Sequence, residues 1–367
     1  MTDGSDAWSG MADEIGRYFE NSTRRFIASS KLMADPPLAD VGTSPCEVVL
    51  EKDRMRLLHY IGGPEEKAPV PVLLVYALIN RPYILDLQPD RSVVQSLLKQ
   101  GLDVYMIDWG RPKNGDRFLG LEDYIERYMD DCVRAIMRSS GQESISLLGY
   151  CIGGYLTSVY AALHPKNVRN MAVMASPLDF GIDHGLLHLW TKEEYFDPKQ
   201  VVEAFGNAPS EFLNGGFAML DPLGNTVLKY LNFYENVEDK KFVEMFLRME
   251  RWLSDGIPVA GAFYIDLIRD GYQRNLFVKN KLRVNGGKAD VERLRMPLLA
   301  IVAEKDHIVP PASTLGLLDV APSKDKTTYS FPTGHIGLSV GGEPHKTLWP
   351  KVAAWFLERS GAAMHKR

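Results

Sequence analysis

Apolar positions along the chain change their period several times, and the changes predict its elements. Val70–Tyr76 (VPVLLVY), Asp103–Ile107 (DVYMI), Ser144–Gly149 (SISLLG) and Val168–Ala175 (VRNMAVMA) are short, nearly continuous apolar runs. Such runs are expected of strands buried on both faces of a sheet. Between them the spacing turns helical. Ser92–Gln100 reads as a short helix stopped by Gly101, and Leu121–Ser139 as an amphipathic helix with Tyr124, Tyr128, Cys132, Val133 and Ile136 on one stripe. Gly153–His164 reads as a third helix. Strands alternating with helices in this way argue for a mostly parallel sheet covered on both faces.

Ahead of this region, Cys46–Ile61 predicts two strands around Lys52-Asp53. Residues 8–33 have helical spacing interrupted by the polar step Asn21-Ser22-Thr23, which predicts one or two short helices. Such an arm can pack on its own domain or offer a docking surface to a partner.

The alternation stops at Phe180. From there to about Asp290 no strand–helix rhythm is visible, yet 17 of the chain's 37 aromatic residues fall in this stretch. Disordered linkers are poor in aromatics, so the insert is expected to fold, as a mainly helical cap. Within it, Glu238–Asp255 places Phe242, Phe246, Met249 and Leu253 on one helical face. The rhythm returns with a strand at Pro297–Ala303 (PLLAIVA), a helix opened by Pro310-Pro311, a strand at Thr327–Phe331 and a final helix from about Lys346 to Ser360. The expected organisation is a helical arm (1–45), the first part of an α/β core (46–180), an inserted cap (181–290) and the second part of the core (291–367). No internal repeat is visible.

Composition narrows the function classes. Hydrophobic residues make up 45% of the chain, charged residues 24%, and the net charge is −5, which gives no electrostatic reason to expect nucleic-acid binding. No apolar run approaches the roughly 18 residues of a membrane span. The acidic start MTDGSD lacks the basic and apolar regions of a signal peptide. Three cysteines make no disulfide framework, so reduced thiols in the cytoplasm are expected.

The chemistry is concentrated in LLGYCIGGYL, residues 147–156. Gly149-Tyr150-Cys151-Ile152-Gly153 has the form Gly-x-nucleophile-x-Gly, placed between a predicted strand and a predicted helix. That is the context of a nucleophile elbow, in which a sharp turn lifts the nucleophile clear of the sheet. The following helix N-terminus favours thiolate at Cys151. Cys132, by contrast, lies in an apolar stripe and reads as packing, and Cys46 has no chemical context.

A nucleophile in an α/β-hydrolase fold needs an acid and then a histidine later in the chain. Asp306 follows the strand ending at Ala303, and His335 lies in the glycine-rich loop PTGHIGLSVGG. Glu304 competes with Asp306 but sits nearer the strand. His307 is a candidate for lining the site, whereas His164, His184 and His188 offer no simple geometry to Cys151. The oxyanion hole is expected to use the backbone N–H of Ile152 and one from the loop Tyr76–Asn80, of which Ile79 is the choice. Sulfur has a chemical rationale here. A thiolate forms a thioester, which keeps the acyl group activated toward an alcohol acceptor better than an oxygen ester would.

The same segments resemble the polyhydroxyalkanoate synthases. GYCIGG is similar to their modified lipase box, and NRPYILDLQP (Asn80–Pro89), YMIDWGRP (Tyr105–Pro112), AEKDHIVPP (Ala303–Pro311) and PTGHIGLSVGG (Pro332–Gly342) resemble their recurring segments. The likeness covers about residues 45–360, and the short region before the core is similar to catalytic subunits of the class III type, with class IV as the alternative. The resemblance implies that (R)-3-hydroxyacyl-CoA, for class III 3-hydroxybutyryl-CoA, is polymerised to polyester with release of CoA. It implies Cys151 as the thioester-forming nucleophile and His335 as the general base. Asp306 would orient His335 or help activate the 3-hydroxyl. It further implies no metal and no cofactor, CoA being only the leaving group, together with a second non-catalytic subunit, a homodimer and association with cytoplasmic polymer granules. Other readings remain. One is a cysteine-dependent hydrolase, similar to dienelactone hydrolases or a thioesterase. Another is a non-catalytic granule-associated protein on the same fold.

Overall fold

The computed structural model describes residues 4–182 and 185–361, with side chains from Glu14 onward; His184 lies outside the described residues. Its centre is an eight-stranded sheet. The strands are β1 (Cys46–Lys52), β2 (Met55–Tyr60), β3 (Val72–Val75), β4 (Val104–Asp108), β5 (Ile145–Tyr150), β6 (Val168–Met174), β7 (Leu298–Ala303) and β8 (Lys326–Phe331). Their spatial order is β1-β2-β4-β3-β5-β6-β7-β8. β1 and β2 form an antiparallel edge, and β4 to β8 run parallel with β3.

The sequence pattern explains this layout. Every residue of β3, β4, β5 and β7 is buried, as continuous apolar runs require when helices cover both faces. At the far edge, β8 alternates between exposed and half-buried positions, so one of its faces meets solvent. The helix Val93–Lys99 begins at Ser92, whose hydroxyl accepts from the Gln95 N–H at 2.9 Å. It stops at Gly101, whose φ of +87° ends the helix without a Cβ penalty.

Three elements depart from expectation. Residues 8–33 do not break at Asn21-Ser22-Thr23; one helix runs from Gly4 to Ala34. Polar side chains on a helix surface do not interrupt backbone hydrogen bonding, and the stop comes just ahead of Pro36-Pro37, which cannot continue it. The helical stretch after Gly120 opens with a wide π-type turn, Asp123–Met129, before regular helix at Asp130–Ser140. The C-terminal helix is Trp349–Arg359, preceded by a separate short helix Gly342–Thr347, with Pro350 in the first turn of the second.

The described chain forms two compact units. The smaller joins the N-terminal 40 residues to Asp221–Ser254; the larger holds Val41–Leu220 with the chain after Ser254. Residues 181–290 contribute to both, and the N-terminal helix shares a core with their middle part. In the smaller unit Phe233, Val237 and Phe246 form that core, with Ala28 and Leu32 of the first helix packed against it. Phe233 and Phe246 stack at 4.2 Å between centroids. In the larger unit the insert is mainly helical, with Pro198–Phe205, Ser210–Ala218 and Gly261–Asp266, plus a small hairpin at Arg283–Val284 and Gly287–Lys288. Among the described residues no helix is long and apolar enough to cross a membrane.

Candidate active site

β5 ends at Tyr150 and the helix Ile152–Leu163 begins one residue later, so Cys151 makes the whole turn alone. Its φ of 56° and ψ of −128° lie where a side chain is strained, at a cost of about 1–3 kcal/mol. The surrounding packing holds it there. The Cys151 N–H donates to the Met174 carbonyl at 3.0 Å, and glycines let the new helix sit directly on the sheet. A Cβ on Gly153 would stand 1.9 Å from the Val75 carbonyl oxygen, and one on Gly154 1.9 Å from Ser176 Oγ. A Cβ on Gly149 would meet the Gly154 Cα at 2.4 Å. The three glycines are thus explained by close backbone approach.

Asp306 lies in the loop after β7, its side chain fully buried. Oδ1 accepts from the backbone N–H groups of Ile308 and Val309 at 2.9 and 2.8 Å, while Oδ2 lies 2.7 Å from His335 Nδ1. Both carboxylate oxygens are therefore engaged, and the imidazole is held with Nε2 left for another partner. Burial opposes a charge on His335, but the Asp306 carboxylate and then the Cys151 sulfur outweigh it and raise the pKa to about 10. The Cys151 sulfur is thus close enough to the imidazole to act on its charge. Three residues from three distant loops thus converge at the C-terminal ends of parallel strands, the usual place for a site in this architecture.

The remaining residues singled out in the sequence are placed as follows. Glu304 is exposed and accepts from Ser330 Oγ at 2.8 Å, away from the histidine. His307 is exposed. His164 pairs with Glu126 at 3.0 Å, and His188 Nδ1 lies 3.0 Å from the Phe180 carbonyl. Cys132 is fully buried, with its sulfur 3.5 Å from that of Met55, and burial pushes its thiol pKa up. Cys46 is exposed; all three thiols are free. Ile152 is the first residue of the helix after the nucleophile, and Ile79 lies in the loop after β3 with its carbonyl accepting from Ile257 N–H at 3.1 Å.

Beside this constellation the larger unit contains a cavity of about 600 Å³, whose lining includes Ile79, Trp190, Phe212, Phe263 and Tyr272. Its lining is predominantly apolar, as is usual for a ligand cavity. Tyr272 packs edge-on against Phe180 at 4.7 Å, and its hydroxyl pKa is raised by burial and next by Cys151. Among the described residues no cluster of three or more His, Cys, Asp or Glu side chains is placed to hold a metal ion.

Two neighbours of the site carry little or no signal in the sequence. Tyr150 contacts His335, and its only signal was its place inside the elbow motif. Tyr272 has no sequence signal at all, because it comes from the irregular insert.

Comparison with known proteins follows the same lines. Residues 70–341 match the model of the alpha/beta hydrolase fold, and residues 33–97 that of the poly-beta-hydroxybutyrate polymerase (PhaC) N-terminus. Solved structures with the same fold include a soluble variant of monoglyceride lipase from Saccharomyces cerevisiae (TM-score 0.52, 12% identity, covering 89% of this chain and 99% of that one). A hydrolase from Pseudomonas aeruginosa is similar (TM-score 0.52, 15% identity, 88% and 100% covered). At such identities only the fold is shared. Sequence relatives are nearer. The poly(3-hydroxyalkanoate) polymerase subunit PhaC of Haloferax mediterranei is 54% identical over 87% of this chain, which spans 65% of that relative's length. The subunit of Synechocystis is 44% identical over 87% of this chain and 86% of its own. That of Allochromatium vinosum is 41% identical over 95% of this chain and 98% of its own length. This chain belongs to the α/β hydrolase fold family and, within it, to the family of the poly(3-hydroxyalkanoate) polymerase subunit PhaC.

Proposed function

We propose that the chain is the catalytic subunit of a polyhydroxyalkanoate synthase, an acyltransferase that polymerises (R)-3-hydroxyacyl-CoA and releases CoA. The observation that carries the reading is the elbow cysteine beside the buried His335–Asp306 pair, joined at 2.7 Å, in a chain of this family.

His335 holds the proton given up by Cys151 as an imidazolium beside the sulfur, a pairing that its raised proton affinity favours. The sulfur attacks the thioester carbonyl of the substrate. The backbone N–H groups of Ile152 and Ile79 are proposed to hold the oxyanion. Collapse of the intermediate breaks the bond to CoA; the proton on His335 leaves with the CoA sulfur, and the acyl group stays on Cys151. In the next step His335 takes the proton of a 3-hydroxyl, whose oxygen attacks a second thioester, forming the ester and returning a thiol. Asp306 keeps the imidazole in one tautomer, which His335 Nδ1 at 2.7 Å supports. No cofactor enters this sequence, since the thioester itself supplies the activation. The apolar cavity lined by Trp190, Phe212 and Phe263 is suited to the acyl chain. The reading extends to 3-hydroxybutyryl-CoA as monomer, a second non-catalytic subunit, a homodimer and cytoplasmic granules, all carried by the family resemblance.

The test is CoA release from (R)-3-hydroxybutyryl-CoA by the purified chain, alone and with a candidate second subunit, with chloroform-soluble polyester assayed in the same samples. CoA release matched by polymer supports the synthase. CoA release with free 3-hydroxybutyrate and no polymer, with the second subunit present, would sink it in favour of a cysteine hydrolase.

A further inference from the structure

The apolar cavity beside Cys151 holds two phenols that the protein itself leaves without a partner. Tyr264 and Tyr272 line it together with Phe263, Leu267 and Ile268, all from the helical stretch 261–273. The second half of that stretch, Leu267–Gln273, is wound as a wide π-type turn, so positions four apart stay on one side. Tyr264, Ile268 and Tyr272 therefore follow one another along the wall. Tyr264 is 5% exposed, and its hydroxyl makes no hydrogen bond to another described residue; burial alone raises its pKa. Tyr272 is half-buried with its ring edge-on to Phe180, and its hydroxyl also has no hydrogen-bond partner among the described residues. After burial, Cys151 and Tyr264 are what raise its pKa, so it stands within electrostatic reach of both. Neither hydroxyl is sealed in as that of Tyr155 is, and both open onto the cavity. By contrast, the Thr191 hydroxyl on the same wall donates to the Leu187 carbonyl at 2.7 Å.

A phenol in apolar surroundings is unfavourable until its O–H finds an acceptor, and phenylalanine would fill the same place without that cost. Two such groups in one cavity call for a ligand that brings acceptor oxygens to an otherwise apolar wall. A plain alkyl chain brings none. A chain of ester units brings one carbonyl oxygen per unit, carries no donor of its own between its ends, and is apolar elsewhere. The volume agrees, since about 600 Å³ is room for a drug-sized ligand and more than a single four-carbon acyl group needs.

We infer that Tyr264 and Tyr272 form a carbonyl-binding subsite for a polyester chain. On the synthase reading above, on which this rests, the occupant is the chain growing from Cys151. The two hydroxyls donate to carbonyl oxygens of the units behind the one bound to sulfur. Standing about two helical turns apart, they take different carbonyls, Tyr272 the one nearer the thiol. The subsite keeps the chain beside Cys151 between additions.

A linear trimer of (R)-3-hydroxybutyrate, with two internal esters, is the probe. It is titrated by calorimetry into the full chain carrying Cys151→Ala, where no turnover consumes it. The trimer is expected to bind, and adding Tyr264→Phe or Tyr272→Phe should weaken binding about fivefold, the worth of one hydrogen bond. Dodecanoate, of similar length but without internal carbonyls, should lose no affinity in either variant. With no protein partner to lose, the ligand-free melting temperature of each variant should not fall. A fall would reveal such a partner and overturn the inference; so would a trimer that binds all three chains equally, or none. Polyester assayed with the unmodified chain separates this from the synthase reading. Polymer formation with tyrosine-independent trimer binding would remove the subsite and leave the synthase. Tyrosine-dependent binding with CoA release and no polymer would remove the synthase and leave an ester-binding subsite.

Discussion

The imidazole of His335 lies against the ring of Tyr150, with centroids 5.2 Å apart and planes inclined by 27°, while the Tyr150 hydroxyl donates to the His335 carbonyl oxygen at 3.0 Å. The residue before the nucleophile thus braces the histidine loop from two directions. Removing the hydroxyl in Tyr150→Phe leaves a buried carbonyl without that partner, at a cost of about 1–3 kcal/mol, while keeping the ring. Thermal unfolding should record that loss, and kcat should fall several-fold with KM little changed. A variant with lower stability and unaltered kcat would reduce Tyr150 to a purely structural role.

Two buried cysteines should respond oppositely. Cys151→Ala is expected to abolish CoA release and leave the fold intact, because the thiol lies at the mouth of the elbow and is 9% exposed. Cys132→Ser places a hydroxyl in a fully buried site against Met55, which should cost about 1–3 kcal/mol and leave turnover per folded molecule unchanged. Unfolding midpoints and initial rates on both variants decide the matter. Normal stability with lost activity in Cys132→Ser would contradict its assignment to the core.

His335 links the site to stability through pH. Burial works against its charge, yet Asp306 and Cys151 raise its pKa from the ordinary 6.5 to about 10. A folded-state pKa above the unfolded one stabilises the fold fully below about pH 6.5, and that contribution is lost as pH rises through about 10. Asp306→Asn retains an acceptor for Ile308 and Val309 but removes the charge. The stability gap between the parent chain and Asp306→Asn should therefore narrow from pH 6.5 to pH 10 in urea unfolding. A gap independent of pH would mean that the carboxylate does not hold the imidazolium. His335→Gln should separately block acylation of Cys151, read by single-turnover labelling.

Gly153 makes a sharper structural test. Its Cβ would stand 1.9 Å from the Val75 carbonyl oxygen, a backbone atom that cannot swing aside. Gly153→Ala is expected to lower stability by about 3 kcal/mol or more through overpacking, seen as loss of soluble protein or a large fall in melting temperature. Gly215→Ala, where a Cβ meets nothing within 4 Å, is the matched control and should be near neutral. Equal behaviour of the two would show that the elbow relaxes away from the sheet.

The sequence by itself determined the parts of this protein that rest on local pattern. Buried parallel strands announce themselves as apolar runs, so β3 to β7 are legible, and the strand-to-helix switch around Gly149–Gly153 points to Cys151. Chain order then pointed to Asp306 and His335, because the loops that end parallel strands face one side of the sheet. Tertiary structure decided what depends on distant contacts. Hydrophobic spacing cannot say which face of the Gly4–Ala34 helix is spent, and only packing shows that it shares a core with Asp221–Ser254. The partners of Tyr150 and Tyr272 are equally invisible locally: one contacts a residue 185 positions away, and the other is brought to the cavity by an irregular insert. Spacing along a chain records which side chains share an element's face. It carries no record of which faces later meet.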